Sequence, residues 1–374
     1  METLISNTTN WNQLTHSIGK TFEARANQHD KEGRFVFENY DDLKTFRYFS
    51  AAIPDELGGG GATHGEMCNM LRILASYCGS TALALSMHQH LVSATIWRFK
   101  NKNEGLPMLE KIVKDQVVLI STGAGDWLSS NGEMTKTNGG FLVSAKKAFS
   151  SQSITGDIVV TSAPYLHPQE GWQVLHFAVP MKAEGISVLD DWDVMGMRAT
   201  GSQTIVLNKV FIPDASIVLS RPRNGFHPVW DVAITVAMPL IMSVYVGLAE
   251  KAFEIAINMG KKYPRNQNHL PYIIGKMYNT LMSARKQWEA MVTLTNNIDF
   301  KPSGKITTDM VSLKSNVASA CIDTVQQAMD AVGGQSFYRK NTLERIFRDV
   351  QGAPFHPMPL WDQYAFTGER LLAQ

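Results

Sequence analysis

Cysteine is scarce: Cys68, Cys78 and Cys321 are the only three in 374 residues. Their spacing fits neither a disulfide framework nor a zinc site, so no metal is expected and the chain reads as reduced and cytoplasmic. An excess of one charge is also missing. With 35 basic residues against 34 acidic ones the net charge is +1, which leaves no overall field to attract nucleic acid or an anionic membrane surface. Charged residues make up only 18% and hydrophobic ones 44%, a balance that excludes disorder as the main state. Long hydrophobic runs are lacking too. The most apolar stretch, 232–248, is interrupted by Thr235, Pro239 and Ser243 and falls short of the roughly twenty residues a membrane span needs. The first twenty residues lack the basic start and apolar run of a signal peptide. No internal repeat or low-complexity tract is present, which excludes solenoid and linker architectures.

What is there falls into three regions. Apolar residues recur at helical intervals over 15–99, interrupted by Ile53-Pro54-Asp55-Glu56 and the glycines at 58–61. Four glycines in a row imply a loop of unusual backbone angles or close approach. From about Val117 the period shortens, and apolar runs at 117–120, 141–143, 158–161, 174–179, 186–189 and 204–212 alternate with turn residues. With no intervening helix, this pattern predicts an antiparallel β unit of about a hundred residues. Beyond Pro222 three long helices are predicted, over 232–259, 270–296 and 307–331, lengths that suit a bundle. The expected organisation is therefore helical over 1–115, β over 116–220 and a helical bundle over 221–374. The fold class is mainly α with a central antiparallel β domain.

Two strand-end segments carry chemistry. Gly123-Ala124-Gly125 follows a strand, as a dinucleotide-binding turn does, but Leu128 replaces the third glycine and more turn and strand follow where a helix should begin. A nicotinamide-binding domain is excluded on that context. Ser121-Thr122-Gly123 and Phe149-Ser150-Ser151 together offer hydroxyls, main-chain donors and an aromatic face, which suit a planar heterocycle. Ordinary turn chemistry uses the same residue types, so these segments alone decide nothing.

The order of the segments is more specific. IPDELGGGGA, STGAGD, KKAFSS, WDVMGMRATGSQTIVLNKVFIPD and AMDAVGGQSFYRKNTLERIFRD, arriving in that sequence, resemble the acyl-CoA dehydrogenase superfamily from about Phe35 to Asp349. The resemblance implies an N-terminal helical domain, a barrel-like middle β domain and a C-terminal four-helix bundle. It also implies a homotetramer, or at least a homodimer, that binds FAD between subunits. On this likeness Ser121, Thr122 and Gly123 contact the flavin ring, and Phe149 covers it. Ser151 stands near the reactive nitrogen N5. Arg198, in a Gly-x-Arg turn, addresses either the flavin edge or a carboxylate at the domain interface. Gly333, Gly334 and Gln335 let a partner subunit's cofactor pass.

The departures shape the functional expectation. Dehydrogenation beside a thioester carbonyl needs a base for the α-proton. The family's glutamate after the Arg-Asp pair, here Arg348-Asp349, is replaced by Val350-Gln351-Gly352, and the other base position falls at Ala237 and Met238. The basic segment that holds cofactor phosphates is not recognisable near 261–268. Asp362 and Glu369 are late carboxylates with a surface role expected, Glu369 being a minor candidate for a displaced base. His356, in a His-Pro segment, with Ser151 resembles the subgroup of two-component flavin monooxygenases. There reduced flavin arrives from a separate reductase. His88 and His90 offer a second imidazole, His88 being equally readable as a satisfied helix residue. The catalytic expectation is thus His356, Ser151 and His88.

Two enzyme readings follow. The first is FAD-dependent oxidation of an acyl-CoA, with an electron-transfer flavoprotein as partner. The second is oxygenation of a small organic or sulfur compound with reduced FAD or FMN from a flavin reductase. A third, a binding or scaffold protein without chemistry, conflicts with the full set of flavin-facing residues.

Overall fold

A computed structural model describes residues 9–126, 128–262 and 269–373. Five helices open the chain: α1 (Trp11–Glu32), α2 (Phe37–Thr45), α3 (His64–Tyr77), α4 (Gly79–Lys102) and α5 (Leu106–Asp115). Thr63 starts α3 with a capping box, its side chain accepting from Glu66 N while the Glu66 carboxylate accepts from Thr63 N. The predicted helical run over 64–99 is two helices. Cys78, extended at φ −147° and ψ 100°, separates them. The glycine loop is a close-approach device: a Cβ on Gly59 would lie 2.1 Å from the Ile53 carbonyl oxygen.

The middle region contains β1 (Leu119–Ser121), the short α6 (Gly123–Asp126), β2 (Glu133–Thr137), β3 (Gly140–Lys147), β4 (Ile158–His167), β5 (Gly171–Pro180), β6 (Ile186–Val188), β7 (Ile205–Pro213) and β8 (Ile217–Pro222). Two four-stranded sheets form, in the orders β1-β4-β5-β8 and β2-β3-β7-β6. Pairing is antiparallel except for β1 with β4, which run parallel because the chain leaves the first sheet after β1 and returns by way of β2 and β3. The inward faces of both sheets supply one core, with Val143, Val159, Phe177 and Val210 fully buried.

The C-terminal region comprises α7 (Val229–Lys262), α8 (Leu270–Thr295), α9 (Gly304–Val332), α10 (Thr342–Val350) and α11 (Leu360–Leu372). Helix α7 is apolar almost all round and packs against α3, α4, α8 and α9, so its surface is spent on neighbours on every side. By length and hydropathy alone it passes for a membrane span, yet 94% of its most apolar window is buried within the protein. Pro239 is accommodated inside it, and the Pro239 carbonyl accepts from Ser243 Oγ and the Trp288 indole.

Candidate functional site

The strand ends, α4, α7 and the segment after α10 enclose a cavity of about 670 Å³. Ser121, Gly123, Phe149, Ser151 and His356 all line it, although they are up to 235 positions apart in sequence. A buried ion pair explains why the two strand-end segments meet. Lys147 Nζ donates to Asp126 Oδ1 at 2.6 Å and to the Ser162 carbonyl at 2.7 Å, tying the segment that leaves β3 to the one that follows β1. Thr122 Oγ1 donates to the same Asp126 carboxylate. Its hydroxyl is therefore turned into the protein, which corrects the expectation of a hydroxyl facing a cofactor there.

Phe149 holds a left-handed backbone angle, φ 57°, and 62% of it is exposed at the cavity. Its ring meets the edge of Trp192 at 6.1 Å and 87°. Beyond it a chain of hydroxyls runs inward: Ser151 Oγ lies 2.8 Å from Ser202 Oγ, which lies 2.7 Å from Thr200 Oγ1, and Thr200 donates to the Met197 carbonyl at 3.0 Å. Each hydroxyl has one proton, so the order is forced. Thr200 spends its proton on the carbonyl, Ser202 on Thr200 and Ser151 on Ser202. Ser151 consequently presents lone pairs to the cavity.

The turn behind this chain is held by the Arg348-Asp349 pair. Asp349 Oδ1 accepts from Met197 N at 2.5 Å, and burial pushes its carboxyl up to about 6. Gly196 approaches so closely that a Cβ there would sit 2.2 Å from the Arg348 carbonyl oxygen. Arg348 reaches the cavity wall, but its side chain donates to both oxygens of Asp30, both of Glu344 and the Met195 carbonyl. Those five bonds use all its donors.

His356 Nε2 lies 2.6 Å from the Tyr245 hydroxyl, inside the otherwise apolar face that α7 gives to the cavity. Loss of solvent, reinforced by the Lys314 charge, lowers the imidazole to about 3, and burial raises the Tyr245 phenol well above its usual range. Both groups are neutral at ordinary pH. Lys314, on α9, is 1% exposed and donates to the Pro354 and Met358 carbonyls at 3.1 and 3.0 Å, bracing the segment that carries His356. His90 also lines the cavity, and desolvation lowers it to about 4.

His88 does not line it. Its Nε2 bonds the Phe49 carbonyl at 2.8 Å and its Nδ1 accepts from Leu119 N at 3.0 Å, so it is a buried spacer between α4 and β1. The expected second imidazole is His90, two residues further round the helix. Arg198 is likewise structural: Nε donates to the Asp30 carbonyl at 2.9 Å and Nη1 to the Val194 carbonyl at 2.8 Å. Gly333, Gly334 and Gln335 lie just past α9 and do not line the cavity, and a Cβ on either glycine would meet nothing within 4 Å. Asp362 and Glu369 are exposed on α11, outside the cavity. Ala237 and Met238 do line it, and no Asp or Glu does so among the described residues. Most of the 261–268 segment lies outside the described residues. Sequence reasoning passed over Tyr245, Ser202 and Lys314. Tyr245 left one signal, a phenol inside an apolar helical run.

Comparisons with known proteins agree with this arrangement. The model of the acyl-CoA dehydrogenase N-terminal domain matches residues 15–114, and that of the C-terminal domain matches residues 240–359. The putative acyl-CoA dehydrogenase YdbM of Bacillus subtilis (strain 168) is 26% identical over 94% of this chain and 93% of its own. The amino sugar nitrososynthase DnmZ of Streptomyces peucetius is 24% identical over 94% of this chain and 90% of its own. Further matches include a dibenzothiophene monooxygenase from Mycolicibacterium goodii and a probable FMNH2-dependent monooxygenase, SfnC, from Pseudomonas putida. The solved structure of KijD3 in complex with FMN and a dTDP-amino sugar superposes with a TM-score of 0.87 at 23% identity, covering 98% of this chain and 95% of that one. The two domain models together span more than half of the chain, in the order of its own helical regions, and the chain belongs to the acyl-CoA dehydrogenase family of flavin-dependent oxidoreductases.

Proposed function

We propose that this protein is a flavin-dependent monooxygenase of the two-component type, supplied with reduced flavin by a separate reductase. The observation that carries the reading is the composition of the cavity: neutral proton-handling groups, His356, Tyr245 and His90, and no carboxylate among the described lining residues. Removal of an α-proton asks for a base, and the family's carboxylate positions are empty here.

The residues present fit a flavin ring. Phe149 offers an open aromatic face, and Ser121 and Ser151 offer hydroxyls beside it. Ser151, fixed as an acceptor by Ser202, matches the N–H that the reduced ring carries at N5 and the oxidised ring lacks. When bound, reduced flavin supplies oxygen activation, one atom of O2 entering the substrate and the other leaving as water. Tyr245 and His356 hold a proton between the phenol oxygen and Nε2, where either group can donate or accept as the substrate changes charge. The apolar wall from α7 keeps water from competing for that proton. Either FMN or FAD satisfies these contacts. SfnC, by its name, uses FMNH2, and KijD3 is solved with FMN.

Acyl-CoA oxidation with FAD and an electron-transfer flavoprotein is the second reading. The likeness to YdbM favours it, with the neutral His356 imidazole as the base. A homotetramer or homodimer goes with either reading. Support comes from apolar side chains left open at the C-terminal end, Phe337 at 86% and Trp361 at 83% exposure, and from the bare Gly333-Gly334 backbone. A cytoplasmic setting is consistent with three free, buried cysteines.

The test is a pair of anaerobic titrations with oxidised and reduced flavin, followed by admission of air. Tighter binding of the reduced form and slowed oxidation of the bound flavin are expected. Bleaching of bound oxidised flavin by an acyl-CoA would overturn the monooxygenase reading in favour of the dehydrogenase.

A further inference from the structure

The cavity wall away from the strand ends carries information about what enters. Leu83, Met87, Trp230, Ile234, Met238 and Ile241 make it apolar, and two of these are methionines, whose polarizable sulfurs adapt to flat rings and to other sulfur atoms. No lysine and no carboxylate lines the space among the described residues. Among the described residues Arg348 is the one permanently charged group that reaches it, and that charge is spent. Asp30 and Glu344 each take two of its hydrogen bonds and the Met195 carbonyl takes the fifth. Lys314 is near the His356 segment, but it donates to main-chain carbonyls and is not part of the wall.

We infer that the substrate is a compact, uncharged and largely apolar molecule of the aromatic or thioether class, its single polar atom addressed by Tyr245 and His356. This rests on the cavity being the substrate site of the proposed oxygenase. A carboxylate or sulfonate on the part of the molecule that enters would lie in this space without a counter-charge, and an unpaired buried charge is strongly disfavoured. The histidines do not supply one at ordinary pH, since desolvation lowers His356 to about 3 and His90 to about 4. The groups that face His356 add no negative charge: Tyr245 from α7, His90 from α4, Lys314 from α9, and on α10 Arg348 with its charge already matched. Asp349, the nearest carboxyl on α10, is turned to Met197 N. A neutral molecule with one acceptor or donor loses nothing in the same place.

Calorimetric titration of the full-length protein tests this, with and without bound FMN, using benzothiophene, benzothiophene-2-carboxylate and octanoyl-CoA as probes. Benzothiophene is expected to bind about 100-fold more tightly than its carboxylate at pH 7.5, the discrimination an unpaired buried charge imposes. That ratio should hold between pH 6 and pH 7.5, roughly, because the two imidazoles stay neutral throughout and the window ends below the value of about 8 at which Lys314 loses its proton. Three results would overturn the inference: carboxylate or octanoyl-CoA binding within about tenfold of benzothiophene, carboxylate affinity that climbs as pH falls through that range, or no binding of benzothiophene below about 1 mM. Product analysis with NADH, a flavin reductase and air separates the two ideas. Selective binding without an oxygenated product would remove the monooxygenase reading and leave the substrate class standing.

Discussion

Ser151 owes its role as an acceptor to two other hydroxyls. Replacing Ser202 with alanine takes away the atom that receives the Ser151 proton, and Ser151 then turns freely between donor and acceptor. The expected result is a loss of about tenfold in preference for reduced over oxidised flavin, read as a fall of about 30 mV in the midpoint potential of the bound flavin. Ser202→Thr should restore it. An unchanged potential in Ser202→Ala would mean that the proton order plays no part. At this scale the sequence was legible where one short segment reaches the cavity, as Phe149 and Ser151 do. It misled where helix phase decides: His88 and His90 are two residues apart, about 200° round α4, and one faces the Phe49 carbonyl while the other faces the cavity. For Arg198 the sequence left two roles open, and the structure gives the structural one. The turn that carries it is recognisable, but which carbonyls its guanidinium meets depends on where α1 ends.

The segment between α10 and α11 has no regular structure of its own beyond one short turn, and its position is set by Lys314 reaching across from α9. A buried ammonium held by two carbonyls is costly, and burial lowers it to about 8. Lys314→Met removes that cost together with the brace. We expect melting to shift by only a few degrees, roughly, while turnover falls about tenfold because His356 is no longer held against Tyr245. The KM for the neutral substrate should change less than kcat, and Lys314→Arg should recover part of the loss. Equal losses in stability and turnover would make Lys314 structural only. Among the elements, the long helices and the apolar strands follow from periodicity. β2, with Met134 its one buried residue, and the edge strand β8, whose one buried residue is the charged Arg221, bury too little apolar surface to leave a pattern. The break at Cys78 is silent for the opposite reason, since apolar helical sequence continues on both sides.

For the whole molecule, buried neutral histidines govern the response to acid. Burial lowers His64, His88, His90 and His176 to about 4 and His356 to about 3, whereas the unfolded chain binds these protons near 6.5. A depressed histidine means fewer protons on the native state, so stability is lost as pH falls below about 6.5. Asp349 acts in the other direction: raised to about 6, it adds stability as pH falls from there towards 4, roughly. Unfolding near pH 5 should therefore take up roughly four protons, each worth about 1.4 kcal/mol per pH unit. Urea melts from pH 7.5 down to pH 4.5 or so would show it, and a flat profile over that range would contradict the burial of these imidazoles.

The sequence by itself determined the order of helical, β and helical regions, because periodicity and turn residues are local properties of the chain. It also determined the two strand-end segments that line the cavity and the absence of the usual carboxylate base, because both are contiguous segments whose residue types can be read directly. Only the tertiary structure decided which histidine faces the cavity, that Arg348 is already neutralised, that Tyr245 meets His356, and that Lys314 holds the segment carrying His356. Each of those facts depends on side chains from elements far apart in sequence, and their distances are set by packing that no single stretch of the chain contains.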